Sequence, residues 1–189
     1  MKKIKLIALL LLVSIFCFGQ SEHLKFRNIE IKGEVNRFVD QLKEIGYTVT
    51  VESDEATILN GVFIGKECRI YVLKSEKTKT VWGVGVYLPE FSSWNSLLAE
   101  YKTVKEQLIK RYGKITENTE TFISPFFEGD GLELTAIDNG KCIYVSYWEL
   151  RIGTIMLKIS NRSLLISYYD KMNTEKAESE KIDKVYDDL

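Results

Sequence analysis

Few side chains in this sequence could do covalent chemistry. His23 is the only histidine, so a Ser-His-Asp or Cys-His centre would have to recruit it from near the N-terminus. Cys68 and Cys142 have no histidine close in sequence to act as a base, which argues against a catalytic thiol. Zinc chemistry fails on ligand number and spacing, so no metal site is expected. The clustered acids are Glu128, Asp130 and Glu133, around the segment Glu128-Gly129-Asp130-Gly131. A glycosidase needs two carboxyl groups facing each other across a cleft, and a calcium loop needs more oxygen ligands at set intervals. Glycine beside aspartate reads more simply as a turn with positive φ, leading into a strand at Leu132-Glu133-Leu134. Gly83 and Gly85 form only a fragment of a phosphate-binding glycine motif, within a strand rather than before a helix. The inventory points away from an enzyme and away from any cofactor.

The N-terminus carries a different signal. Lys2, Lys3 and Lys5 precede an apolar run from Leu6 to Phe18 broken only by Ser14, the anatomy of a secretory signal peptide. The run is shorter than the roughly 20 residues that a spanning helix needs. Cleavage is expected between Gly19 and Gln20, giving a signal over 1–19 and a periplasmic or secreted product. The less favoured alternative is a lipoprotein acylated at Cys17, against which the bulky Phe16 counts. Removing the three lysines of 1–19 leaves 23 basic residues against 27 acidic ones, a net charge of −4. Neither nucleic acid nor an anionic membrane surface suits that balance, and no integral membrane segment remains.

The elements that would carry a site follow from periodicity. Val35, Phe38, Val39, Leu42 and Ile45 mark one helix face, with Gly46 as its stop. Leu97, Leu98, Tyr101, Val104, Leu108 and Tyr112 mark a second, started by Ser92 or Ser93 and stopped by Gly113. Each leads into β-prone sequence, at 47–51 and 114–116. Gly65-Lys66-Glu67-Cys68-Arg69-Ile70-Tyr71-Val72 is echoed by Gly140-Lys141-Cys142-Ile143-Tyr144-Val145, and further strands are read at 81–88 and 154–159. The order helix, strand, turn, strand, strand thus occurs twice, over 24–89 and 92–170, with an extra hairpin at Leu164–Tyr169. The fold class expected is α+β: one domain over 20–170, an antiparallel sheet with two main helices on one face, read as tandem α-β repeats. Residues 171–189 form a charged tail or short helix, with Ile182, Val185, Tyr186 and Leu189 at helical spacing.

With this layout the chain resembles small exported envelope proteins built from tandem helix-plus-antiparallel-sheet units, such as the β-lactamase-inhibitor-protein-like and BamE-like folds. It also resembles uncharacterised secreted proteins of Bacteroidetes type, through Phe18-Gly19-Gln20, Thr80-Val81-Trp82 and Glu128-Gly129-Asp130-Gly131. The resemblance implies binding rather than chemistry.

Cys68 and Cys142 start equivalent strands in the proposed repeats and would reach an oxidising compartment. They read either as a disulfide joining the halves or as two separate buried thiols. Among aromatic residues, Trp82 shares a continuous apolar side with Val84, Val86 and Leu88 and reads as core. Opposite it, Gly83 and Gly85 leave either a groove beside Tyr87 or space filled by another segment. Along 143–150, Tyr144 and Trp148 form an aromatic platform if their side faces outward, and periodicity does not choose the side. In the next strand Ile155, Leu157 and Ile159 read inward, Met156 and Lys158 outward. Phe126 and Phe127 follow Pro125 in a loop. The candidate binding residues are therefore Tyr87, Phe126, Phe127, Tyr144 and Trp148. The function expected is an exported non-enzymatic interaction module with an envelope or secreted protein as partner. The alternative is a small-ligand or glycan binder around Tyr87, with a carboxylate-dependent hydrolase third.

Overall fold

A computed structural model describes residues 22–187. The expected signal segment, with its cleavage point and Cys17, lies outside them. A short hairpin, β1 (Lys25–Phe26) and β2 (Ile29–Glu30), leads into α1 (Val35–Glu44). Four strands follow: β3 (Thr48–Glu52), β4 (Ala56–Phe63), β5 (Lys66–Lys74) and β6 (Val81–Tyr87). Then come α2 (Trp94–Tyr112), β7 (Glu117–Phe122), a single-turn α3 (Glu133–Asp138), and the strands β8 (Cys142–Leu150), β9 (Gly153–Ser160) and β10 (Ser163–Asp170). The last element is α4 (Lys171–Asp187). The fold is α+β, and every strand pair is antiparallel.

Strands β3 to β10 form one eight-stranded sheet in the order β3-β4-β5-β6-β10-β9-β8-β7. A helix followed by a four-stranded meander therefore occurs on each side of the β6–β10 pair. Two details differ from the sequence reading. Leu164–Tyr169 belongs to β10, the fourth strand of the second half that joins the two meanders, and β4 supplies a strand of the first half that periodicity did not mark. The Gly65 and Gly140 echoes also fall on different strands, β5 being third in its meander and β8 second.

Local chemistry explains the helix bounds. The Ser93 side chain caps α2 by accepting from the Ser96 N–H, and Gly113 ends the helix at φ 87°. Helix α1 stops before Gly46, at φ 97°. Both helices cover the same side of the sheet. Phe38, Val39 and Leu42 of α1 are buried there, as are Leu97, Tyr101 and Val104 of α2. Ile45 lies past the end of α1 and stays exposed.

The hairpin closes the space between the helices, with Phe26 against Phe63 and Tyr168 at ring-centroid distances of 5.5 and 5.4 Å. Asp170, fully buried, accepts the Leu24 N–H at 2.8 Å and the Asn173 N–H at 3.1 Å, with His23 Nδ1 at 3.1 Å. The one histidine thus pins the N-terminal segment to the start of α4. Further along α4, Glu180 accepts from the Thr78 hydroxyl and from the N–H groups of Lys77 and Thr78 in the β5–β6 turn. Ala177 is buried but Ile182 is 56% exposed, so the expected apolar stripe is not docked at that residue. The side chains of Val185 and Tyr186, and Leu189 itself, lie outside the described part. Among the described residues, no helix is long and apolar enough to cross a membrane.

Candidate functional site on the open sheet face

Strand alternation divides the sheet into a covered side and an open side. Tyr144 and Trp148 fall on the covered side, 4% and 0% exposed, so they form no outward platform. Tyr144 meets Trp94, Tyr101 and Phe122 edge-on at centroid distances of 5.1–5.7 Å. Trp148 donates its indole N–H to the Gly113 carbonyl at 3.0 Å. Between them Ser146 donates to Asn118 at 2.7 Å and shares a 2.9 Å hydrogen bond with the Tyr101 hydroxyl. The sequence offered two faces of β8, and the second helix took the one with the larger rings.

The cysteines are both free. They sit on β5 and β8, four strand spacings apart, which puts their α-carbons about 19 Å or more from each other where a disulfide tolerates about 7 Å. Burial pushes the Cys68 thiol up to about 11, opposed by the Arg27 charge, and burial alone pushes Cys142 up to about 12. They are separate thiols, as in the second sequence reading, Cys68 buried and Cys142 half-buried.

The acidic cluster is a structural turn, and the strand expected at Leu132-Glu133-Leu134 is instead the start of α3. Asp130 accepts the N–H groups of Phe127 and Leu132 at 3.0 and 2.7 Å, and Glu133 accepts that of Gly129 at 2.9 Å. Gly129 and Gly131 take positive φ, which explains their place beside the acids. Phe126 is half-buried and Phe127 is 62% exposed in this loop, away from the centre of the sheet.

Tyr87 is the sequence candidate that the fold places in a concave surface. On the open side, cross-strand registers line up Asn60, Arg69, Tyr87, Leu165, Lys158 and Val145 in one row from β4 to β8. The next row runs Ile58, Tyr71, Gly85, Ser167, Met156 and Tyr147. Gly85 and Ser167 are the smallest residues of that row and lie on the central β6–β10 pair. They floor a groove of about 930 Å³ whose walls include Tyr71, Tyr87, Leu165 and Tyr169. Tyr71 and Tyr87 meet edge-on at 5.4 Å.

Among the described residues, the atoms nearest a Cβ on either glycine belong to neighbouring strands rather than to a helix or loop laid over the sheet. A Cβ on Gly83 would meet Tyr169 and Leu73 at 3.0 and 3.2 Å, whereas one on Gly85 would find only ordinary contacts, the nearest being Leu165 at 3.5 Å. Trp82 also departs from its expected core position. Leu73 pairs with Gly83 and Lys74 with Val81, so Trp82 is the extra residue of a bulge, half-buried and stacked on Tyr169 at 5.9 Å. Burial, then the neighbouring Tyr71, raise the Tyr87 pKa; a Ser160 hydrogen bond opposes them and Tyr169 adds to them, so the phenol stays a neutral donor.

Sequence reasoning passed over Arg69, Tyr71, Leu165 and Tyr169. The signal for two of them lay in β5, where Cys68, Ile70 and Val72 alternate with Arg69 and Tyr71. The groove has aromatic walls and a small-residue floor, and its lining carries one cation, Arg69, beside two acids, Glu67 and Glu90, a surface on which a ligand or a partner can dock. Among the described residues no cluster of His, Cys, Asp and Glu could hold a metal. Compared with known proteins, this chain finds no match, neither a family model nor a curated protein nor a solved structure.

Proposed function

We propose that this chain is an exported, non-enzymatic module that binds another envelope or secreted protein through the open face of its sheet. The observation that carries the reading is the composition of that face: Ile58, Tyr71, Tyr87, Tyr147, Met156, Leu165 and Tyr169 stand half-buried with no described element over them. Tyrosine, methionine and arginine are the residues enriched at protein interfaces, and a tyrosine brings large contact area at little entropic cost. Eight strands about 4.8 Å apart and four rows of facing residues about 7 Å apart give roughly 700 Å², close to the ~800 Å² per partner of a stable interface. The resemblance to tandem helix-plus-sheet envelope proteins, and the signal-like N-terminus, support the same reading and its location.

Photo-crosslinking side chains placed singly at Tyr87 and Met156, and as controls at the exposed Lys43 and Lys110 of the helices, test it in the host envelope. One protein joined from the sheet positions and not from the helix positions supports the proposal. The same adducts from both faces, or none from the sheet, defeat it.

A glycan or small-ligand reading has one observation in its favour, the hollow over Gly85 with phenol rings around it. Trp82 reports on it, because it is the half-exposed tryptophan on that side whereas Trp94 and Trp148 are buried. A tryptophan-fluorescence change on adding peptidoglycan fragments, lost in Trp82→Phe, would favour that reading over a protein partner.

A further inference from the structure

We propose that the edge strand β7 takes up an extended segment of a partner protein as an added strand, with one apolar side chain of that segment seated in a hollow between β7 and α2. β7 ends the sheet, and only β8 pairs with it. The Ile123 N–H donates to the Lys141 carbonyl, which continues the β7–β8 register. Antiparallel pairing alternates from there, so Thr121, Thr119 and Glu117 bond β8 while Asn118, Glu120 and Phe122 turn their N–H and C=O groups outward. No backbone group of a described residue meets these three from outside, and the Phe122 carbonyl accepts only the adjacent Thr121 hydroxyl, at 3.3 Å. The other edge is built differently. β3 breaks its register at a bulge between Val49 and Val51, a device that blunts an edge, whereas β7 pairs without a break from Glu117 to Phe122.

A second observation lies beside that edge. Ile109, Gly113, Lys114, Ile115, Thr116 and Asn118 line an open hollow of about 510 Å³, and Ile109 of α2 is 38% exposed. The Asn118 side chain accepts from the Ser146 hydroxyl at 2.7 Å, so it points to the helix side of the sheet. A residue placed opposite Asn118 on an added strand turns its side chain the same way, toward the hollow. Two positions along, the side chain opposite Glu120 meets the ion pair of Glu120 with Lys105, and a polar residue belongs there. The outward backbone groups select an extended chain, and the hollow selects one apolar residue on it, which is how strand addition divides affinity from specificity. A second copy does not fit. Pairing the three outward positions of β7 with themselves sets two Glu120 carboxylates opposite each other. The apolar side chain that β7 carries on this side, Phe122, is already held against Trp94 and Tyr144. The occupant is a segment of a different protein.

The test is selection of displayed linear random peptides on the immobilised protein, followed by affinity measurements on the enriched sequences. They should share one apolar residue with a polar residue two positions away. Glu120→Pro removes an N–H that β8 does not use, and should weaken them by about tenfold. Glu120→Thr also loses the Lys105 pair but keeps the N–H, and should weaken them less than about threefold. Ile109→Gln keeps the helix and removes the apolar wall, with an expected loss of about tenfold. In the unsubstituted protein the amides of Asn118, Glu120 and Phe122 should exchange rapidly alone and slowly with peptide bound, a readout that does not depend on how the proline variant folds. Peptides that bind Glu120→Pro as well as the parent, exchange at the three amides unmoved by peptide, or no enrichment at all would overturn strand addition at β7. Peptides lost on Tyr87→Ala and indifferent to Glu120→Pro would also overturn it, while supporting the open-face reading.

Discussion

On β9, Ile155, Leu157 and Ile159 are 0–2% exposed on the covered side, while Thr154, Met156 and Lys158 between them look out from the other. The same division runs through β5, with Ile70 and Val72 inside and Arg69 and Tyr71 outside. The two faces differ in more than burial. The covered face carries mostly branched aliphatic side chains with a few large rings, each locked by a helix. The open face mixes aliphatics such as Ile58, Val145 and Leu165 with tyrosine, methionine and long cations that can repack. A sheet facing water needs only polar residues on that side. Apolar side chains kept there make cross-strand contacts, Tyr71 with Tyr87 and Trp82 with Tyr169, and give the face the composition on which the proposed contact surface rests.

The sharpest test of that contrast uses neighbouring residues of β8. Trp148→Ala removes a fully buried ring and its hydrogen bond to Gly113, and should cost about 3–5 kcal/mol in chemical denaturation. Tyr147→Ala, one residue away and on the open side, should cost less than about 1 kcal/mol. Equal losses would mean that the open face is as much a part of the folded core as the covered one.

Glycine gives a second comparison. A Cβ on Gly61 would lie 2.1 Å from the Tyr47 ring, on the covered side, where Tyr47 is buried and its hydroxyl donates to the Val62 carbonyl. Gly61→Ala must displace that ring and should cost about 1–3 kcal/mol. Thermal unfolding unchanged by the substitution would show that the ring has room to move.

The thiols probe the covered face by pH. Cys68 and Cys142 have folded pKa values raised to about 11 and about 12 from an ordinary 9.0, so the fold favours their neutral forms. Their contribution to stability is complete below pH 9 and falls as pH rises from there through 11 and 12, because the unfolded chain ionises first. At pH 8 Cys68 should react with a thiol reagent only as fast as the chain opens, the half-buried Cys142 faster than Cys68, and both fully in denaturant. Rapid reaction of Cys68 in the native protein would contradict its placement.

The helices, their caps and the outward pair Met156 and Lys158 were legible in the sequence, since each depends on spacing along one element. Tyr144 and Trp148 were not. Alternation divides a strand into two sets but does not say which one a helix will cover, and that choice depends on α2 crossing β8 some 45 residues later. The cysteines failed for a related reason: an octapeptide and the hexapeptide that echoes it fell on the third strand of one meander and the second of the other, because β4 was not marked as a strand. The Trp82 bulge was hidden because one extra residue inverts the facing of all that precede it. The groove was half-visible: Gly83 and Gly85 were in view, but Ser167 and Tyr169 reach them only through the β6–β10 pairing across some 80 residues.

Gly85→Ala should have the smallest effect on the fold and is the most informative about the open face. Its backbone φ is not in the left-handed range, and the added methyl would meet Leu165 at 3.5 Å, Tyr71 and the Ser167 hydroxyl at 3.9 Å, all ordinary contacts. Alanine loses less backbone entropy on folding than glycine in a strand, so stability should hold or rise by up to about 0.5 kcal/mol. The methyl nevertheless stands in the floor of the groove, between Tyr71 and Ser167. A partner group that inserts there must sit higher over the floor. Crosslinking to the partner from Tyr87 and Met156 should therefore fall while the melting temperature stays level, a separation that a purely structural glycine does not produce. Gly83→Ala is the control, since Tyr169 and Leu73 already close over that position at 3.0 and 3.2 Å and must give way to any new methyl. If Gly85→Ala lowers stability as much as Gly83→Ala does, the hollow is packing space, and contact with the partner has to lie on the rings around it.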